Sequence, residues 1–137
     1  MKLFLDTNIL IDVVANRTPW VEDALVIFEL ANQKQVELIA ADCSFINIAY
    51  ITRKIFSAEE LNSLLADLRE FVDVAEVGTE IIDAAISANW NDFEDCVQSM
   101  VAQREKVDYI ITRNEKDFRD SNVPAISPRE FLSFFRQ

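Results

Sequence analysis

The sequence contains no histidine, one glycine, three prolines and two cysteines. Without histidine, a structural zinc site of mixed Cys and His ligands and a Ser-His or Cys-His catalytic pair are both excluded. Cys43 and Cys96 fall in helical, apolar patterns, where isolated thiols act as small core residues and fit a reducing, cytoplasmic compartment. The scarcity of glycine and proline leaves little room for linkers and predicts a single helix-rich domain over residues 1–137.

Basic residues are also few, since 13 Lys and Arg stand against 24 Asp and Glu, for a formal net charge of -11. This balance argues against a nucleic-acid-binding surface, which is normally basic, and favours a basic partner segment. A cation bound within an acidic cluster would reverse the local sign and weaken that objection. No apolar run is long enough to span a bilayer, and Asp6 interrupts the first one, so we expect neither a membrane span nor a signal peptide.

Short apolar runs that are typical of buried strands alternate with helical patterns along the whole chain. The predicted strands are Lys2–Leu5, Val36–Ala41, Phe71–Ala75, Asp108–Thr112 and Pro124–Ile126. This alternation indicates βαβ units and predicts an α/β fold with a mainly parallel sheet. In open parallel sheets, functional sites form beyond the carboxyl ends of the strands. Asp6 and the segment after Thr112 both occupy such ends.

Capping signals predict where the helices begin. Ser57-Ala-Glu-Glu60 has the pattern of a capping box. The other predicted starts are Thr18-Pro19, with a hydroxyl cap and proline in the first turn, Thr79, Asn91 or Asp92, and Ser127-Pro128. Residues Cys43–Phe56 are predicted as one helix. The predicted buried face of the helix after Pro19 consists of Ala24, Leu25, Ile27, Phe28 and Ala31.

A set of acidic and amide residues follows the strands or begins the helices. Its members are Asp6, Asn47, Asp92, Glu94, Asp95, Asn114 and Asp117. Each has a purely structural alternative. Asp6 fits an N-cap of the helix near Ile9–Val14, and Asp92 with Asp95 fits a cap and its reciprocal partner. Asn114 and Asp117 fit a turn after a strand, and Asn47 fits an ordinary helix position.

Taken together, these residues favour a shared site. Because the carboxyl ends of parallel strands meet at one edge, we expect Asp6 and Asp117 to be neighbours, and a helix that begins at Asp92 can direct its first turn towards them. Carboxylates in one pocket repel and raise one another's pKa. Mg²⁺ or Mn²⁺ would remove this conflict, because both prefer oxygen ligands. Such a metal can activate water for phosphodiester hydrolysis.

Three sequence blocks carry a resemblance to a known family. FLDTNILID, NDFEDCVQSMVA and YIITRNEKDF resemble the signature blocks of the PIN-domain ribonucleases, the fold of the VapC-type toxins, in order and spacing over nearly the whole chain. The resemblance implies a three-layer α/β/α fold with a five-stranded parallel sheet in the order 3-2-1-4-5. It also implies a Mg²⁺- or Mn²⁺-dependent endoribonuclease acting on RNA, a homodimer, and an antitoxin partner encoded alongside.

The resemblance assigns roles to individual residues. It implies that Asp6, Asp95 and Asp117 are catalytic metal ligands, with Asp92 as a further ligand. Residues that match supporting positions are Thr7, Asn8, Asn47, Glu94, Thr112 and Asn114. Separately, Arg53, Lys54 and Arg113 are candidates for contacts with RNA phosphate.

Asn47 departs from the family pattern, which has Glu or Asp on the helix after the second strand. An amide carries no charge and cannot act as a base, so we expect weaker Mg²⁺ binding unless Asp92 or Glu94 turns into the pocket. The nearest other acid is Asp42, about one helical turn earlier. A second functional hypothesis therefore stays open, namely a catalytically inactive PIN domain that binds RNA or protein.

Two other protein classes place an aspartate after a strand. The haloacid-type phosphatases require Asp-x-Asp, but Asn8 occupies the second place. Receiver domains are phosphorylated on an aspartate after the third strand, whereas Phe71–Ala75 is followed by Glu76. We reject both classes on these mismatches.

Overall fold

Five short parallel strands form the centre of the molecule. The computed structural model describes residues 1–135, and the last two positions of the predicted domain, 136 and 137, lie outside the described residues. The strands are β1 (Lys2–Leu5), β2 (Glu37–Ala41), β3 (Val72–Ala75), β4 (Tyr109–Ile111) and β5 (Ala125–Ile126). All neighbours pair in parallel, in the order β3-β2-β1-β4-β5. The predicted α/β class and strand order are confirmed.

Helices connect the strands and cover both faces of the sheet. They are α1 (Thr7–Val14), α2 (Trp20–Asn32), α3 (Asp42–Ile51), α4 (Ala58–Arg69), α5 (Thr79–Ala88), α6 (Phe93–Arg104) and α7 (Pro128–Phe134), with a 3₁₀ helix at Glu115–Phe118. Successive side chains of β1 point to opposite faces. Leu3 and Leu5 join a core formed mainly with α1, α2, α4 and α7, while Phe4 joins a second core with α5 and α6.

Three of the predicted helix starts are confirmed by their capping contacts. Ser57 and Glu60 form the complete capping box of α4. The Asp92 side chain caps α6 by accepting a hydrogen bond from the backbone N–H of Asp95, and Ser127 caps α7 with Pro128 in the first turn. These contacts join residues only three positions apart, so the local sequence is enough to predict them.

Three helix predictions are wrong in detail. Thr18 does not cap α2, which begins at Trp20 with Pro19 in the N-cap position. Thr79 is inside α5 because Gly78, with a φ of 84°, takes its N-cap position. The third helix ends at Ile51 rather than Phe56, and the Thr52 hydroxyl after it donates to the Ile48 carbonyl oxygen.

The predicted buried face of α2 also needs one correction. Ala24, Ile27 and Phe28 are buried, but Leu25 is 48% exposed, because it lies beside an open groove rather than under a neighbouring helix. Across residues 1–135, no helix is both long and apolar enough to cross a membrane.

Candidate active site

Asp6 directly follows β1 and is only 3% exposed. It occupies the N-cap position of α1, but its side chain makes no capping hydrogen bond. Instead, Oδ1 accepts a hydrogen bond from Gln98 Nε2 (3.1 Å) and Oδ2 accepts one from Thr112 Oγ1 (2.7 Å). Burial raises the Asp6 pKa above its usual value, although both donors oppose the rise. The simple N-cap alternative is therefore wrong: the carboxylate is turned towards α6 and the end of β4.

A chain of hydrogen bonds holds Glu94 of α6 against α1 and α3. Glu94 Oε2 accepts hydrogen bonds from Asn47 Nδ2 (2.7 Å) and from Thr7 Oγ1 (3.0 Å). Because one hydroxyl has one proton to donate, Ser44 Oγ, 2.7 Å from Thr7 Oγ1, completes the chain as the donor to Thr7. Glu94 thus lies beside Asn47, where an acid that compensates for the amide was expected, and its role towards a metal stays a prediction.

Asp95 lies at the electrostatic centre of the acidic residues. Burial is the largest cause of its raised pKa of about 7, followed by the charges of Asp92, Asp6, Asp117 and Glu94. Its carboxylate accepts no hydrogen bond from another described residue, unlike that of Asp6. We call Asp6, Asp92, Glu94, Asp95 and Asp117 the acid cluster. The hydrogen bonds that join Thr7 to Glu94 and Asp6 to Gln98 and Thr112 bring the three parts of the chain together at one edge of the sheet.

Asp92 and Asp117 share a polar cavity of about 190 Å³ next to Asp95. Asp92 also caps α6, so the structural and the site assignments of this residue are both compatible with its position. Asp117 lies in the 3₁₀ helix after β4 and is exposed. The cavity is also lined by Trp90, Asn91, Lys116, Arg119 and Asp120.

The predicted supporting residues behave differently from one another. Thr112 is fully buried and links two segments, because its Oγ1 donates to Asp6 and accepts a hydrogen bond from the Asn114 backbone N–H (3.0 Å). The side chains of Asn8 and Asn114 make no hydrogen bond within residues 1–135, so their orienting roles stay predictions. The turn assignment for Asn114 fits its N-cap position in the 3₁₀ helix.

The donors of the acid cluster suit a hard divalent cation in their chemistry. All are carboxylate oxygens, which Mg²⁺ and Mn²⁺ prefer, and their mutual repulsion would be relieved by positive charge. In the described part of the chain, however, no three Asp, Glu or Cys side chains stand close enough together to hold one ion. A metal would therefore need side-chain movement within the cluster.

Two buried polar residues of the site were missed in the sequence. Gln98 donates to Asp6, and its Oε1 accepts the Thr7 backbone N–H (3.3 Å), while Ser44 supports Thr7. Gln98 lies three residues after Asp95, and Ser44 three before Asn47, so helical spacing from a candidate residue was a usable signal. Their burial was not visible in the local pattern.

Arg113 is engaged by the protein itself. Its Nε and Nη2 donate to Asp12 Oδ2 (2.7 Å) and Oδ1 (3.2 Å), and Asp12 is fully buried. Arg53 and Lys54 are exposed in the turn after α3. Arg53 Nη1 donates to the Tyr50 carbonyl oxygen (2.6 Å), and its Cζ lies 3.9 Å from the centre of the Tyr50 ring. Phosphate contacts by these three residues remain predictions, and for Arg113 only part of the guanidinium is free to make them.

The comparison with protein families decides the assignment. The profile described as "PIN domain" matches residues 2–116. The chain belongs to the PIN-domain family. A comparison with curated proteins gives no match.

Solved structures of PIN-domain relatives share the fold at low sequence identity. VapBC2 from Rickettsia felis, bound to a promoter DNA fragment, has 15% identity and a TM-score of 0.69 over 93% of this chain and 98% of that one. A toxin–antitoxin complex from Klebsiella pneumoniae has 20% identity and a TM-score of 0.63, covering 92% and 97%. VapC20 from Mycobacterium tuberculosis, a toxin that cleaves the sarcin-ricin loop, has 12% identity and a TM-score of 0.63, covering 79% and 86%.

Proposed function

We propose that this PIN-domain protein is a divalent-metal-dependent endoribonuclease that hydrolyses RNA phosphodiester bonds, and that it is the toxin of a toxin–antitoxin pair. The observation that carries the proposal is the acid cluster at the carboxyl edge of the sheet, where the Asp95 pKa is raised to about 7 by burial and by its neighbours. The toxin–antitoxin proteins with the same fold support the biological role.

The residues that would hold the metal are Asp6, Asp95 and Asp117, with Asp92 and Glu94 beside them. When bound, Mg²⁺ or Mn²⁺ supplies charge for the phosphate oxygens and lowers the pKa of a water molecule. The protein's own contribution is to orient the oxygens. Gln98 and Thr112 fix both oxygens of Asp6, and Asn47 and Thr7 fix one oxygen of Glu94.

Glu94 supplies the negative charge that Asn47 lacks. The Asn47 amide donates to Glu94 Oε2 at 2.7 Å, which leaves Glu94 Oε1 without a hydrogen bond among residues 1–135. The acid that the family has on the helix after the second strand is in this way replaced by one on α6. Asn47 then acts as a positioning residue for Glu94 rather than as a ligand.

The test is Mn²⁺ binding by titration calorimetry together with RNA cleavage by the pure, partner-free protein. We expect Glu94→Gln to weaken Mn²⁺ binding about 10-fold. Adding Asn47→Asp should return the charge to the pocket and restore much of the affinity. Glu59→Gln, at an exposed position of α4, is the matched control and should bind as the wild type does.

Either of two outcomes would contradict the proposal. If Glu94→Gln binds Mn²⁺ with unchanged affinity, Glu94 is not part of the metal site. An absence of RNA cleavage by the wild type in Mn²⁺ would remove the nuclease assignment.

A non-catalytic PIN domain that binds RNA or protein is the second candidate. It is favoured by the absence, in residues 1–135, of three acidic side chains already arranged around one ion. The same calorimetry separates the two functions. A pocket that binds no Mn²⁺, in a protein that still binds RNA, would establish the binding module.

A groove between α1, α2 and α4 is a surface suited to the antitoxin. It has a volume of about 480 Å³ and is lined mainly by apolar side chains: Val13, Val14, Leu25, Phe28, Leu64, Leu68 and Phe71. Glu29 and Asp67 also line it, and the chain carries a net charge of -11, so the partner segment should be apolar on one face and basic at its edges. Leu25→Glu should abolish co-purification with the protein encoded alongside.

We further propose a homodimer. Ile46 and Tyr50 lie one helical turn apart on α3 and are mostly exposed, which suits burial against a second copy. Sedimentation equilibrium should give twice the 15.7 kDa chain mass, and Ile46→Lys should return it to the monomer value.

A further inference from the structure

A second cavity, about 370 Å³ in volume, lies apart from the acid cluster. It is lined by Pro19, Trp20, Asp23, Arg113, Ser127, Pro128 and Arg129, and we call it the Trp20 pocket. None of the five acids of the cluster lines it. Trp20, the first residue of α2, is 47% exposed, although a large aromatic ring gains by burial. An exposed indole in a cavity is a common feature of ligand sites.

The Trp20 pocket adjoins the acid cluster through the backbone after β4. Thr112 donates to Asp6 of the cluster, and the next residue, Arg113, lines the pocket. Consecutive Cα atoms are about 3.8 Å apart. The two side chains diverge, because Thr112 contacts Asp6 while Arg113 contacts Asp12. Two successive residues after β4 thus connect the Trp20 pocket to the acid cluster.

Arg113 is held rigidly in the pocket. Two of its nitrogens donate to the buried Asp12 carboxylate, and its Cζ lies 4.1 Å from the centre of the Trp20 ring. Its third nitrogen, Nη1, makes no hydrogen bond to another described residue. Because the ion pair and the ring fix the guanidinium in advance, contact with a phosphate would cost little side-chain entropy.

The pocket differs in charge from the rest of the molecule. Arg17, Arg113 and Arg129 lie at or next to it, against Asp12 and Asp23. The cavity at the acid cluster has Lys116 and Arg119 against Asp92, Asp117 and Asp120, and the whole chain is at -11. The Trp20 pocket, with three arginines against two aspartates, is therefore the less acidic of the two. Arginines at such a surface are the groups that neutralise phosphates.

Single-stranded nucleic acid is the ligand class that fits this combination. Its bases stack on exposed aromatic rings and guanidinium planes, and its phosphates accept hydrogen bonds from arginine. The two proline rings add flat apolar surface around Trp20. We propose that the Trp20 pocket binds one nucleotide of a single-stranded RNA substrate, with the base against Trp20 and a phosphate at Arg113. The choice of RNA rests on the proposed function.

The test measures RNA binding to the full chain in EDTA and low salt, where no metal-dependent cleavage occurs. The Trp20 emission is taken as the difference between the wild type and Trp20→Phe, so that Trp90, which lines the cavity at the acid cluster, stays unchanged. We expect a seven-nucleotide oligoadenylate to quench Trp20 emission. In the binding assay with a labelled oligonucleotide, Trp20→Ala should weaken affinity about 10-fold, and Trp20→Phe should retain most of it.

The controls separate stacking from a structural role. Val26→Ala changes a residue of the same helix that is 48% exposed, about as much as Trp20, and should bind RNA normally. A G·C-rich RNA hairpin, which stays paired in low salt, is the duplex control and should not quench, because paired bases cannot reach the ring. The RNA affinity of Trp20→Ala is interpreted only if its circular dichroism and thermal melting match those of the wild type. If they do not, the proposal is judged on the affinity of Trp20→Phe and on the absence of quenching by duplex RNA.

The results that would overturn the Trp20 pocket differ from those that would overturn the nuclease assignment. Unquenched Trp20 emission, or equal quenching by duplex RNA, overturns the pocket even if the protein cleaves RNA in Mn²⁺. Single-strand-specific quenching supports the pocket even if no cleavage is seen. Where cleavage occurs, Trp20→Ala should raise KM and leave kcat nearly unchanged, and an unchanged KM would contradict the proposal.

Discussion

Asp6 and Asp12 lie before and within the same short helix, and both are buried, but the protein compensates their charges in different ways. Asp12, which is 0% exposed, receives two hydrogen bonds from Arg113 and has Arg17 at 3.9 Å. The side chains that donate to Asp6 are the neutral ones of Gln98 and Thr112, and the charge of Glu94 adds to the rise of its pKa.

The difference is in how each buried charge is compensated, and it agrees with the role proposed for Asp6. A buried carboxylate is costly unless it is paired and hydrogen-bonded. At Asp12 the fold supplies the cations itself, and the pair joins α1 to the end of β4. At Asp6 the fold supplies orientation but no positive charge, which is the state expected of a group that meets its cation from outside.

The largest expected effect is on activity at Asp6. Asp6→Asn keeps an acceptor for Thr112 or Gln98 but removes the charge, so RNA cleavage in Mn²⁺ should fall by at least about 100-fold. Cleavage assays and circular dichroism check this together. If Asp6→Asn cleaves RNA at the wild-type rate, the charge of Asp6 has no role in catalysis and the residue is structural, as Asp12 is.

The next largest effect is on stability at Asp12. Asp12→Ala leaves Arg113 and Arg17 without their buried partner, and we expect the free energy of unfolding to fall by about 3 kcal/mol, or roughly 10 °C in Tm. Calorimetry measures this. The double variant Asp12→Leu with Arg113→Met removes both charges and should recover much of the loss; equal loss in both variants would show that packing, not charge, matters here.

The third prediction concerns pH and Asp95 in chelator. The pKa of Asp95 is raised from 3.8 to about 7 in the folded state, so ionisation of this carboxyl disfavours folding. The contribution of Asp95 to the free energy of unfolding is therefore fully present below about pH 4 and is lost as the pH rises through about 7. Asp95→Asn should therefore melt about 2–4 °C above the wild type at pH 8 and nearly equal to it at pH 4. The exposed Asp83→Asn is the control, and a parallel pH profile for both variants would contradict the assignment.

The smallest effect is expected at the exposed ion pair of the Trp20 pocket. Arg129 and Asp23 are 3.3 Å apart, but the Arg129 side chain is 87% exposed. Exposed pairs contribute about 0–1 kcal/mol, so Arg129→Gln should shift Tm by less than about 2 °C. A drop as large as that of Asp12→Ala would erase the distinction between buried and exposed pairs.

The elements and their order were predictable because their signals are local. Short apolar runs and helical patterns lie within single segments, and the caps at Ser57, Asp92 and Ser127 join residues three apart. The predictions failed where two neighbours competed for one N-cap, as at Gly78 and Thr79, because backbone conformation rather than side-chain type decided between them. The parallel-sheet argument placed Asp6, Asp117 and the first turn of the helix from Asp92 at one edge, and the structure brings Asp6, Asp95 and Asp117 within electrostatic reach.

The sequence by itself determined the α/β alternation, the parallel sheet and the acids that follow its strands. Only the tertiary structure decided which side chain donates a hydrogen bond to which acidic side chain. Gln98 reaches Asp6 across 92 positions, Arg113 reaches Asp12 across 101, and Asn47 reaches Glu94 across 47. Such contacts depend on strand pairing and on the rotation of each helix about its axis, which no local pattern contains.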